Sequence, residues 1–257
     1  MSASRITTIL AIAVVAVAAS AVAAHGAMIV GDDTAEIITG TPGDDNIDAR
    51  GGDDTINALA GNDAVQGGGG NDTVIGEAGD DVIGGGDGND AIDAGDGNNT
   101  VNGEAGDDTI SSNIGFDALA GGDGNDSLEA GPNGDNLFGQ GGNDELLGQE
   151  GDDTAWGGEG DDNLRGAADT DTLYGGPGAD KLFGGPGNDR LVALARVDKS
   201  LPGGDFVRAG RGNDIVRVRD GDGDRVLCGP GNDIVYADFH DKIKPNCEVA
   251  KRDRPTP

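Results

Sequence analysis

From Gly43 to Leu191 the sequence repeats every nine residues without a slip. Gly43-Asp44-Asp45-Asn46-Ile47 is followed by Gly52-Asp53-Asp54-Thr55-Ile56 and Gly61-Asn62-Asp63-Ala64-Val65, and the step holds to Gly187-Asn188-Asp189-Arg190-Leu191. Of seventeen registers, sixteen carry Asp at the third position, with Asn99 the exception. Sixteen carry Val, Ile or Leu at the fifth, where Ala155 is the exception. Such a period means one small unit stacked on copies of itself, because a nonapeptide cannot bury its single large aliphatic alone. The three residues around each aliphatic form a short strand, aliphatic to one face and neighbours to the other. Gly holds the first position in fifteen registers, and Asn133 and Asp169 replace it in the others. Glycine accepts the positive φ of tight turns, and Asn or Asp is next most tolerant. Thirteen registers place Asn or Asp directly after that first position, which fits a turn of alternating handedness.

Composition narrows the alternatives. The chain has 257 residues, 50 of them glycine, only 3% aromatic, and a net charge of -31. Large apolar side chains are too few for an ordinary compact core. Glycine and acid at this level usually mean disorder, but a disordered acidic linker does not hold aliphatics in phase with Asp. Nucleic acid is excluded as a partner, since phosphate binding needs positive charge. Residues 31 to 190 carry 37 acidic and four basic side chains, so cations are the natural counterpart.

Several registers extend to a longer pattern. Gly85-Gly86-Asp87-Gly88-Asn89-Asp90-Ala91-Ile92 and Gly121-Gly122-Asp123-Gly124-Asn125-Asp126-Ser127-Leu128 show it, as do the windows from 157, 175 and 184. The G-G-x-G-x-D-x-U-x nonapeptide over residues 40 to 192 resembles the haemolysin-type RTX repeat. That resemblance implies an all-β, right-handed parallel β-roll solenoid in which two nonapeptides complete a turn. Seventeen copies would give about 8.5 turns and roughly 40 Å of stack. One edge would hold Asp45, Asp63, Asp81, Asn99, Asp117, Asp135, Asp153, Asp171 and Asp189. The other would hold Asp54, Asp72, Asp90, Asp108, Asp126, Asp144, Asp162 and Asp180. Stacked carboxylates repel unless cations sit between them, and hard oxygen donors select calcium. The family implies Ca2+ between stacked turns, held by these Asp side chains and backbone carbonyls. About fifteen gaps filled by divalent ions would add roughly +30, nearly cancelling the charge of the array. Asn99 keeps an oxygen but loses the charge, so its adjoining sites should be weaker. An EF-hand is not supported, since no twelve-residue loop closes with Glu between helices.

The ends differ from the array. Arg5, the apolar run Ile9 to Ala19 and the small residues Ala21-Val22-Ala23-Ala24 read as a signal peptide over residues 1 to 24. A retained membrane anchor is the competing reading; once the signal is removed no membrane span is left. Ile29 and Ile38 fall in the aliphatic phase, so residues 25 to 39 are expected to cap a β-roll of residues 40 to 191. Val192 to Pro202 breaks the phase, and residues 192 to 257 carry looser copies around Asp205, Asp214, Asp224 and Asp233. The motifs Cys228-Gly229-Pro230-Gly231-Asn232-Asp233, Tyr236-Ala237-Asp238 and Cys247-Glu248 resemble the closing segment of secreted bacterial proteins of this repeat type. A solenoid needs its open end closed, and a Cys228–Cys247 disulfide would lock such a cap. Two reduced cysteines or a dimer bridge are the alternatives.

No catalytic constellation is legible: the histidines are His25 and His240 alone, too few for a triad or zinc site. The expectation is a secreted, extracellular, non-enzymatic calcium-binding repeat protein that folds on the ion, with a structural or surface role. An enzyme or toxin using the repeats for export would need a large region before them. The alternative is a carbohydrate- or cell-surface-binding adhesion module, because Phe138, Trp156, Tyr174 and Val192 recur at eighteen residues just after the inward aliphatic. They should form an outward stripe, either covered by the C-terminal segment or offered to a carbohydrate or protein partner.

Overall fold

The computed structural model describes residues 13–16, 26–193, 204–247 and 249–252. Among these residues every regular element is a strand, and the strands form two thirteen-stranded parallel sheets. Consecutive strands alternate between the sheets, so hydrogen-bonded neighbours lie eighteen residues apart through the array. Asn46–Asp48 pairs with Ala64–Gly69, with Ile47 opposite Val65, while Thr55–Asn57 pairs with Thr73–Ile75 on the other sheet. The parallel β-solenoid expected from the repeat is therefore the fold.

Its core is a double file of aliphatics, one per nonapeptide. Ile38, Ile47, Ile56, Val74, Leu119, Leu137, Leu164 and Leu182 are all essentially inaccessible to solvent. Each is worth about 1.5–3 kcal/mol of burial, and little else is apolar enough to contribute. The next inward position, two residues on, is small throughout the array. It is Ala49, Ala58, Ala94 or Ala130 in some turns, Ser112 in one and Gly in most. A wider residue there would push the two sheets apart.

The turns correct one expectation. None of the Asn or Asp residues that directly follow the first repeat position adopts positive φ. In most turns the left-handed positions are the first repeat position and the residue two before it. Gly68 (φ 108°) and Gly70 (φ 132°) show the pair, and Asn133 (φ 98°) and Asp169 (φ 77°) take it up where Gly is replaced. Leu59 (φ 79°) and Ala167 (φ 84°) are forced into the same region, at a cost of about 1–3 kcal/mol each.

Both ends continue the coil. Met28–Val30 and Glu36–Thr39 join the two sheets, with Ile29 and Ile38 in the core, and Ala13–Ala16 lies parallel to Glu36–Thr39. Beyond the break in phase, Lys181–Pro186 pairs with Phe206–Arg211, and Arg190–Val192 with Ile215–Val218. The residues between, 194 to 203, lie outside the described ones, but the coil resumes in register across them. Val207, Val216, Val226 and Val235 carry the core onward, and Cys228 is disulfide-bonded to Cys247 with Cα atoms 5.2 Å apart.

Candidate metal centre

Through the array each strand is entered through an Asp, or in one case Asn99, and the stacking aligns those residues into two rows. In one row the backbone N–H of Asp63 donates to Oδ1 of Asp81 at 2.8 Å, and Asp135 to Asp153 at 2.8 Å. In the other, Asp54 donates to Asp72 and Asp72 to Asp90, each at 2.8 Å. Both rows have the membership expected from sequence, with Asn99 in its place. They also run further: Asp180 reaches Asp205, Asp189 reaches Asp214, and Asp205 and Asp214 reach Asp224 and Asp233. Asp241 accepts from Asp224 at 3.3 Å and ends one row, a position the sequence reading missed. The signal for it was Asp241-Lys242-Ile243, a bare Asp-x-aliphatic without turn glycines.

One oxygen of each carboxylate is thus engaged; the other is the feature that matters. Among the described residues, eighteen Asp Oδ2 atoms are buried without a hydrogen-bond partner. They belong to Asp54, Asp63, Asp72, Asp81, Asp90, Asp108, Asp117, Asp126, Asp135, Asp144, Asp153, Asp162, Asp171, Asp180, Asp189, Asp214, Asp224 and Asp233. Buried carboxylates left half-unsatisfied are rare, because each such group costs several kcal/mol. Asp45 is different, since Ala27 N–H and the Thr41 hydroxyl donate to its Oδ1 and Thr41 N–H to its Oδ2.

The orphaned oxygens face a cradle of carbonyls. A Cβ added at Gly157 would run into Asp162 Oδ2 and the carbonyl oxygen of Gly175, and Gly67 stands in the same relation to Asp72 Oδ2 and Gly85. Glycine five residues before the Asp therefore leaves room beside the carboxylate, and the next turn supplies a carbonyl to the same space. Before Asp54, Asp63, Asn99 and Asp135 that position is Ala49, Ala58, Ala94 and Ala130, and before Asp117 it is Ser112. Asn99 instead turns its amide to carbonyls of its own turn. Its amide nitrogen donates to the carbonyls of Gly95 and Gly97, each at 3.2 Å, so a built-in N–H group meets these carbonyls. The donor set is all oxygen, anionic and carbonyl, which suits a hard divalent cation.

Burial dominates the electrostatics. It pushes Asp90 and Asp135 up to about 7 and Asp162 and Asp171 up to about 8. The N–H of the preceding turn offsets part of this, and neighbouring row carboxylates raise it again. A second ladder lies outside the first. Asn71 N–H donates to Asp53 Oδ1 at 2.9 Å, Asn89 to Asn71 at 2.8 Å, and Asn125 to Asp107 at 2.8 Å. Here the later turn donates to the earlier side chain, the reverse of the inner rows. These bonds hold the exposed Asp107 carboxyl below its ordinary value. This ladder, rather than φ tolerance, accounts for Asn and Asp at the second repeat position.

The aromatic stripe is present. Phe138 and Trp156 stack at 4.6 Å between centroids, and Trp156 and Tyr174 at 5.7 Å, all three half-buried. Val192 follows, then Arg217 and Tyr236 in the same row, with Arg217 5.3 Å over the Tyr236 ring. The described part of the C-terminal segment extends the stripe instead of covering it. Covering was one of the two expectations; the looser copies stack on the coil end, while residues 194–203 and 253–257, which also belong to that segment, lie outside the described ones.

No curated protein matches the chain. A family model for the RTX calcium-binding nonapeptide repeat matches residues 30–65, 58–92, 84–119, 120–155, 156–191 and 201–235. With the solenoid and its two carboxylate rows, those matches span most of the sequence, and the chain belongs to the RTX calcium-binding nonapeptide repeat family.

Proposed function

We propose that this chain is a secreted, non-enzymatic repeat protein that folds on calcium, with a structural or surface role. The eighteen orphaned Oδ2 atoms carry the proposal. Their carboxylates, from Asp54 and Asp63 onward, would hold the ions together with turn carbonyls such as those of Gly85 and Gly175. Calcium would supply the positive charge that makes two buried rows of Asp tolerable. Gaps preceded by glycine, as at Asp72, Asp90, Asp126 and Asp162, are the roomiest and should fill best. Those at Asp54, Asp63, Asp117 and Asp135, where Ala or Ser fills part of the cradle, should be weaker. The repetition supports a binding role over catalysis, because each turn offers the same carboxylate and carbonyl chemistry, and His240 lies exposed beside Asp238. Residues 1 to 24 are proposed to direct export, and N-terminal sequencing of protein from culture supernatant checks their removal.

The binding test is a calcium titration followed by circular dichroism. Chelated protein at neutral pH should lack β signal and regain it cooperatively on addition of calcium, at about 0.1 to 1 mM. Full β signal in excess chelator would overturn the proposal. A second reading has its own observation: the stacked, half-buried Phe138, Trp156 and Tyr174 form a continuous aromatic ladder along one sheet, which a glycan or a partner surface could engage. Trp156→Ala would then abolish binding to glycans while leaving the calcium titration unchanged.

A further inference from the structure

The turn between Val218 and Arg225 departs from the rest of the coil. Row neighbours are eighteen residues apart up to Asp189, but Asp205 and Asp224 are separated by nineteen. The altered loop is Arg219-Asp220-Gly221-Asp222-Gly223. Gly221 takes φ 108° with open space around it, and Asp222 N–H donates to Asp220 Oδ1 at 3.0 Å. The result is a group found in no other turn among the described residues. Asp205, Asp220 and Asp224 each bring a carboxylate oxygen within 4.8 Å of the others. Asp224 is fully buried; its Oδ1 takes the N–H of Asp205 at 2.8 Å, and its Oδ2 has no partner.

We propose that Asp205, Asp220 and Asp224 form a calcium site of their own kind, the tightest in the chain. The proposal rests on the reading that the array binds calcium. An ordinary gap offers two row carboxylates, and this one offers three. Three anionic oxygens so close repel strongly unless a cation lies among them. For oxygen-ligand sites, affinity rises with the number of charged ligands. The third ligand exists because the loop breaks the repeat and brings Asp220 within reach of Asp205 and Asp224.

The test is isothermal titration of the full chain with calcium, beside Asp220→Asn and Asp222→Asn. Asp222→Asn removes the same charge two residues away, outside the cluster, and keeps the N–H that donates to Asp220. The wild type should bind one ion ahead of the rest. Asp220→Asn should weaken that step at least about tenfold, while circular dichroism at saturating calcium stays that of the wild type. Asp222→Asn should keep the early step. Superimposable wild-type and Asp220→Asn isotherms, or equal losses in both variants, would overturn the site while the array reading stands. Absence of calcium binding at any step would overturn both.

Discussion

Removing calcium and lowering the pH should restore the coil that neutral pH destroys. The buried rows supply the reason. Asp162, Asp171 and Asp205 are pushed up to about 8 and Asp224 to about 9, by burial first, with a backbone N–H partly offsetting it and like-charged neighbours adding to it. In the unfolded chain the same groups titrate near 3.8. A raised folded pKa means that the coil holds protons the unfolded chain has released. The stability of the metal-free coil is therefore fully present below about pH 4 and is lost progressively from there until the pH has risen through the folded values of about 8 to 9. Each such carboxyl contributes about 1.4 kcal/mol per pH unit in that window, so these four alone remove about 5–6 kcal/mol over one unit. That is comparable to the whole stability of a typical domain. Far-UV circular dichroism in chelator, from pH 8 down to 5, reads the effect while staying above the isoelectric point near 4.1. The β signal should be absent at pH 7.5 and grow as the pH falls toward 5. With calcium present, the midpoint concentration should rise as pH falls, since proton and ion compete for the same Oδ2. A metal-free signal that is flat across this range, or stronger at pH 7.5, would refute the reasoning.

Other outcomes follow from single residues. Gly157→Ala puts a methyl group against Asp162 Oδ2 and the Gly175 carbonyl, and should raise the calcium midpoint and cost about 1–3 kcal/mol at saturation; an unchanged titration would count against the cradle. Asn99→Asp trades the amide bonds to Gly95 and Gly97 for a carboxylate, so native mass spectrometry should show one additional calcium, and equal stoichiometry would contradict it. Leu164→Ala should destabilise the calcium-loaded coil by about 2–5 kcal/mol in denaturant melts, because nothing nearby can fill the gap between the sheets. Trp156 should be quenched by acrylamide to the same extent with and without residues 206–257, which lengthen the stripe; strong new exposure on truncation would mean that they shield it.

Much of this was legible because identical registers leave little freedom. Once Asp and an aliphatic recur every nine residues, short stacked strands with Ile47, Ile56 and Val65 facing inward follow from strand geometry; the alternation of sheets and the paired rows come from the resemblance to the RTX repeat. What escaped notice lies where the spacing changes or where two roles share one residue type. Asp205 and Asp214 come 25 residues after their row partners, so Arg217 and Tyr236 did not read as continuations of Trp156 and Tyr174. Asn and Asp at the second position suit both positive φ and an outer ladder, and composition could not separate those roles. The strained φ of Leu59 and Ala167 has no sequence signal, because it is imposed by neighbouring turns. Asp220 sits in a loop whose importance comes from breaking the period.

The alternation of consecutive strands between two sheets makes the coil a ruler with two different graduations. Gaining or losing eighteen residues inserts or removes a whole turn, leaving both Asp rows, the core and every face as they were. A change of nine keeps each Asp behind its aliphatic but sends all later strands to the opposite sheet. Loss of one nonapeptide between Phe138 and Trp156 would move Trp156 and Tyr174 to the far side of the molecule from Phe138. Changes of other lengths survive only if the surplus is taken up in a loop, as the one extra residue between Val218 and Arg225 is. Length variation among descendants of this sequence should therefore cluster at multiples of eighteen within the stripe, and at multiples of nine only where neither face carries a surface worth keeping.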